Sequence, residues 1–94
     1  MEFEWDEAKD VENRAKHGLS LADAAGLDWQ GADIVVDARA NYAEIRQIAY
    51  GNLACRLHTC VFTAREGGRR IISLRKSNQG EIRDHGKAIT TPPD

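Results

Sequence analysis

The run from Cys55 to Arg65 constrains this chain most. Its side chains alternate, with Leu57, Thr59, Val61 and Thr63 on one side and His58, Cys60, Phe62 and Ala64 on the other. Successive residues of a strand point to opposite faces. Both faces here carry apolar groups, so neither can lie fully in water. The strand needs cover on both sides, with helices on one face and something smaller on the other.

The rest of the chain supplies that cover. Ile34-Val35-Val36 reads as a short strand, and Asp37 to Ala43 as a polar connector. Glu44 to Tyr50 reads as a second strand and Gly51-Asn52 as a turn. After the long strand, Glu66-Gly67-Gly68-Arg69 forms a hairpin loop leading into a fourth strand, Arg70 to Arg75. Upstream, Phe3-Glu4-Trp5 is an extended lead, and Asp6 caps a helix with Glu7 in its first turn. Ala8, Val11 and Ala15 give that helix a narrow apolar stripe, and His17-Gly18 closes it. Ser20 and Asp23 form a capping box for a second helix with Leu21, Ala24 and Ala25 on its apolar face. That helix ends between Gly26 and Asp28, and Trp29 packs under the sheet edge. Ser77 or Asn78 caps a third helix with Glu81 near its start. Gly80 costs that helix about 1 kcal/mol relative to alanine and keeps it short. Residues 90–94 read as a loose tail. The expected architecture is α+β, with two N-terminal helices on a four-stranded antiparallel sheet and a short C-terminal helix.

Ninety-four residues make one domain, spanning residues 1–94. At 41% hydrophobic and 30% charged, the composition fits a soluble globular chain. The acidic opening MEFEWDEAKD has no apolar run, and no segment approaches the roughly 20 apolar residues of a membrane span. The expected location is the cytoplasm, with no membrane partner. Cys55 and Cys60 have no CxxC spacing and fall on opposite faces of one strand, so both read as packing thiols. The histidines His17, His58 and His85 are scattered, with no metal-ligand spacing. No glycine-rich phosphate loop opens a helix. The expectation is no metal and no cofactor.

Net charge is −2, but the sum hides a division. Residues 1–47 hold 11 acids and 5 bases, and residues 48–94 hold 4 acids and 8 bases. Such asymmetry suggests that one surface meets an anion or an acidic partner. A pI of about 5.9 argues against a uniformly basic nucleic-acid binder. The bases cluster at strand ends. Arg65, Arg69 and Arg70 flank the last hairpin, Arg75 and Lys76 end the fourth strand, and Arg46 and Arg56 belong to mid-sheet. Guanidinium groups brought together there can grip a phosphate and stabilise a pentacoordinate phosphoryl centre. Strand-end arginines also serve as plain solvated charges that blunt edges. His17 is either a capping charge or an acid–base group, since histidine titrates near neutral pH. Glu44, sharing a strand face with Arg46, is either a base or its ion-pair partner. His85 either caps the third helix or reaches the patch.

Two blocks of residues resemble a known family. Phe3-Glu4-Trp5-Asp6-x-x-Lys9 followed by Asn13-x-x-Lys16-His17-Gly18-x-Ser20 is similar to the N-terminal signature of the BrnT family of type II toxins. Glu44-x-Arg46 with Ile48 and Gly51, then Val61-x-Thr63 and Arg70-Ile71-Ile72-Ser73-Leu74-Arg75-Lys76, resembles the rest of the pattern. The likeness covers residues 3 to about 86. It implies a RelE-like fold and a metal-free endoribonuclease that inhibits translation. It also implies a cognate BrnA-like antitoxin that binds operator DNA and so ties the toxin to it indirectly. The implied chemistry is attack of a ribose 2′-OH, the group that separates RNA from DNA, on the adjacent phosphate. On that resemblance Arg46, Arg70 and Arg75 hold the phosphate, and His17 or Glu44 moves the proton. Lys16, Arg65, Lys76 and His85 would contact RNA. Three features depart from the family: Gln79-Gly80 where bases are usual, His85 where a tyrosine would stand, and a Gly26 to Asp33 loop without Asp-Pro. Fewer basic contacts weaken salt-dependent RNA affinity. The alternative function is a partner-binding module of the same fold without cleavage.

Overall fold

The computed structural model describes residues 2–38 and 43–86. The expected tail lies outside them. The chain runs β1 (Glu2–Trp5), α1 (Glu7–His17), a 3-10 segment (Leu21–Gly26), β2 (Asp33–Val36), β3 (Gln47–Leu53), β4 (Arg56–Arg65), β5 (Gly68–Lys76) and α2 (Gln79–His85). The fold is α+β, and β4 is the middle strand of the order β1-β5-β4-β3-β2. Strands β2 to β5 form the expected antiparallel meander.

The sheet has five strands and is mixed, which corrects the four-stranded antiparallel expectation. The Phe3-Glu4-Trp5 lead is a strand that lies parallel to β5, with Trp5 opposite Ile71. Three local residues cannot announce a partner so far along the chain. One trace of that pairing does stand in the sequence. A Cβ on Gly68 would lie 2.1 Å from the Glu2 carbonyl oxygen, so this residue must be glycine for β1 to approach.

The second helix is a 3-10 segment rather than an α-helix. Its capping box is present, with Ser20 and Asp23 bonded reciprocally. Leu21 and Ala24 are its buried residues and Leu27, its C-cap, is buried too; a spacing of three suits the three residues per turn of a 3-10 helix. The turn between β3 and β4 also differs from expectation. Gly51 and Asn52 belong to β3, and the chain reverses at Ala54 and Cys55, both at positive φ. Gly51 is small because Leu27 and Ala32 press on it, with Leu27 Cγ only 3.0 Å from a would-be Cβ. Cys60 is buried as expected, whereas Cys55 sits exposed on that turn.

Helix α1 reverses its expected orientation. Val11 is 58% exposed, while Asp10 and Asn13 are buried. The helix docks by hydrogen bonds rather than by an apolar stripe. Leu74 N–H donates to Asn13 Oδ1 at 3.0 Å, and Asn13 Nδ2 donates to the Leu74 carbonyl at 2.9 Å. Asn13 Nδ2 also reaches the Leu19 carbonyl at 2.8 Å. Pairing with β1 ends at Ile71, so the Asn13 amide carries the ladder on past the last strand residue. Asp10 Oδ1 accepts from Leu21 N–H at 2.7 Å and from the Ser20 hydroxyl at 3.2 Å, fastening α1 to the 3-10 segment.

The alternation of β4 holds. Cys60 and Phe62 join Ala49, Ile71, Leu74, Leu21, Ala24 and Leu27 in the main core. Phe3, Trp5, Trp29 and Leu53 close over it. Trp29 meets Phe62 edge-on at 5.2 Å and donates its indole N–H to the Ala24 carbonyl. The other face carries a smaller cluster of Ile48, Tyr50, Leu57 and Val61, with Ile72 against it.

Candidate active site

The face with the smaller cluster is left open as a groove. Its floor is Val61, Thr63, Ile72 and Ser73, and α1 forms one wall. Two adjoining hollows of about 160 and 250 Å³ share Lys9, Arg46 and Ile72. Arg70 and Glu44 line the first, and Lys16, His17 and Glu12 line the second. The wall comes from a polar stripe: Lys9, Glu12, Asn13 and Lys16 recur at three- and four-residue intervals and share one side of α1. Asn13 holds that side against β5, and Gly18 in the left-handed conformation ends the helix directly after His17.

Strand register places Arg75. Tyr50, Thr59 and Arg75 stand opposite one another on β3, β4 and β5, in one row across the groove face. The His17 pKa is lowered from its ordinary value of 6.5, first by burial, then by the positive charges of Arg75 and Lys16. His17 is therefore mostly neutral at pH 7, set beside Lys16 of its own helix and Arg75 of β5.

Helix α2 lies along the row. The Glu81 carboxylate takes both terminal nitrogens of Arg75 at 2.8 Å each, and accepts from the Thr59 hydroxyl at 3.0 Å. These donors, led by the Arg75 hydrogen bonds, hold the Glu81 pKa down at about 2. His85, at the other end of α2, stacks flat on Tyr50 with ring centroids 3.7 Å apart and contacts the Asp33 carboxylate.

Lys16, His17, Arg46 and Arg70 thus line one groove, with Arg75 beside them. Other expected site residues stand elsewhere. Glu44 precedes β3 rather than lying in it, and pairs with Arg65 at 2.8 Å, not with Arg46. Arg65 also bonds the Thr63 hydroxyl, at the groove's rim. Arg46 precedes β3 and Arg56 opens β4, so neither is at mid-sheet. His85 belongs to the Tyr50 contact rather than to the His17 group. Lys76 follows Arg75 in the strand and so points the opposite way. It lines a hollow of about 670 Å³ on the covered side with Leu19, Leu53, Arg56 and His58. Arg70 is paired with Glu4, its register neighbour on β1, at 2.8 Å. Sequence reasoning missed Lys9, Glu81 and Thr59. The polar stripe of α1 and the Asn78–Glu81 capping box were the signals available for the first two. Among the described residues, no three His, Cys, Asp or Glu side chains gather around one metal position.

The fold and this groove define a small α+β domain that gathers cations and a histidine of lowered pKa along one open sheet face. Comparison gives it a family. A family model described as the ribonuclease toxin, BrnT, of type II toxin–antitoxin systems matches residues 5–81, and the chain belongs to that family. The chain is also similar to the crystal structure of the ribonuclease toxin BrnT of Brucella abortus. The two share 28% identity with a TM-score of 0.66, over 84% of this chain and 99% of that one. No curated protein matches the sequence.

Proposed function

We propose that this chain is the endoribonuclease toxin of a type II pair, cleaving RNA in the cytoplasm by a route that needs no metal. His17 Nε2 or Nδ1 takes the proton of a ribose 2′-OH, whose oxygen attacks the adjacent phosphorus. The P–O5′ bond breaks, leaving a 2′,3′-cyclic phosphate; the departing oxygen takes a proton from water, and the hydroxide so formed takes the proton that His17 holds. Arg46, Arg70 and Arg75 hold the phosphate and its developing charge, with Lys9 and Lys16 along the strand that enters. Between the two candidate bases, the neutral imidazole favours His17, because the Glu44 carboxylate is engaged by Arg65. A BrnA-like antitoxin would silence the groove and link the pair to operator DNA. The observation that carries this reading is the convergence of His17 with Arg46, Arg70 and Arg75 on one sheet face, in a chain of a ribonuclease toxin family.

Purified chain is expected to cut single-stranded RNA in excess EDTA and to leave cyclic phosphate ends. Arg75→Ala should lower the rate by about 10²- to 10³-fold, the usual loss when one charge-stabilising donor is removed. The rate should rise with pH to a plateau whose midpoint lies below 6.5, because the base works unprotonated and its pKa is depressed. Intact RNA, or cleavage abolished by EDTA, overturns the proposal. A second reading has one observation in its favour. Arg65, Arg70 and Arg75 each already pair with a carboxylate, as in a surface built for packing. A folded chain that binds its antitoxin and never cuts RNA would establish this partner-binding module instead.

A further inference from the structure

We propose that Glu81 is a positioning residue for cleavage: carried on the first turn of α2, it holds the Arg75 guanidinium at the groove face, beside the hollow that His17 lines. The proposal rests on the ribonuclease reading and adds a residue which that reading does not use.

The contacts of Glu81 exceed what a helix cap requires. A capping box needs its carboxylate to accept from one backbone N–H, here that of Asn78 at 2.9 Å. Glu81 accepts three further hydrogen bonds, two from Arg75 and one from Thr59. Four donors from β4, β5 and the helix cap thus converge on one carboxylate, which fixes it as firmly as a single side chain allows. Glu81 stands 17% exposed and Arg75 30%, so the pair is partly shielded from water.

The geometry is that of a fork held end-on. A guanidinium carries five N–H donors; here the Glu81 carboxylate takes two, and Nη1 also donates to the Lys76 carbonyl at 3.4 Å. The pairing thus sets the planar cation in one orientation before a phosphate arrives. An arginine side chain has many rotamers, and fixing one before substrate arrives removes that ordering cost from the reaction step. Helix α2 buries none of its own residues, so it contributes little to the core. Its two ends are instead tied to the groove-face row, Glu81 to Thr59 and Arg75, and His85 to Tyr50. Such a helix is better explained as a bracket for the row than as a packing element.

The test compares Glu81→Ala with Asn78→Ala. Glu81→Ala should lower kcat on a short RNA oligonucleotide by about 10- to 100-fold, the scale of a misplaced catalytic group, with KM within about threefold. In the RNA-free protein, the separate guanidinium N–H proton signals of Arg75 should merge as the fork begins to rotate. Asn78→Ala removes the side chain that caps Glu81 N–H but leaves the Arg75 fork in place. It should keep those signals and hold kcat within about twofold despite a lower melting temperature. Glu81→Asp, which keeps the charge on a shorter stem, gives a loss between the two and serves if the alanine variant fails to fold. Parental or faster cleavage by Glu81→Ala, or unchanged Arg75 signals, overturns the proposal. If the parent chain leaves RNA intact, the ribonuclease reading itself has failed. The Arg75 signals then decide separately whether Glu81 fixes the fork.

Discussion

The two faces of the sheet use the same strands for opposite ends. On the covered face Cys60, Phe62, Ile71 and Leu74 are sealed by the 3-10 segment and by Trp29. On the groove face Thr59 and Arg75 meet Glu81 of α2, Arg70 pairs with Glu4 of β1, and Thr63 bonds Arg65. The larger core is on one side, which leaves the other, with its smaller cluster, to carry charge. In a chain this small, with roughly 60–65% of its unfolded surface buried, such a division leaves the covered face little margin.

Substitutions can break that contrast. The largest expected effect is Leu74→Ala, which empties a fully buried site and should cost about 3–4 kcal/mol of unfolding free energy in a urea titration. A smaller but informative effect is expected at the boundary. Asn13→Ala leaves Leu74 N–H and two carbonyls without their side-chain partner and should cost about 2 kcal/mol. It should also loosen the groove wall, so that cleavage falls more than stability alone explains. Val11→Lys should change stability by no more than about 0.5 kcal/mol, because the outer side of α1 meets solvent. A large loss at Val11 would mean that the apolar stripe packs inward after all, and the contrast between faces would need redrawing.

Local signals in the sequence were read correctly where they rest on local physics. The Asp6 cap, Gly18 after His17, the Ser20–Asp23 capping box and Asn78, one of the two caps expected for α2, appear in place. The alternation of β4 also holds. Three features were not legible. The parallel pairing of β1 depends on a partner more than sixty residues away, and no short pattern encodes it. The buried side of α1 was misread because hydrophobic periodicity assumes that a helix docks through apolar contact. Asp10 and Asn13 dock it through hydrogen bonds instead. Lys76 was grouped with Arg75 by proximity in sequence, although strand geometry turns adjacent residues to opposite faces. In the groove itself, single residues were legible as types, whereas Glu81 became visible only when α2 was seen beside Arg75.

The pairing of β1 with β5 carries a consequence for synthesis. One wall of the groove, with Lys16 and His17, leaves the ribosome early. The row that faces it, ending in Arg75, is complete only once β2, β3, β4 and β5 have followed. Such distant pairings form late. A truncated product therefore holds one wall and no opposing arginine, and the groove exists only in a chain translated through its fifth strand.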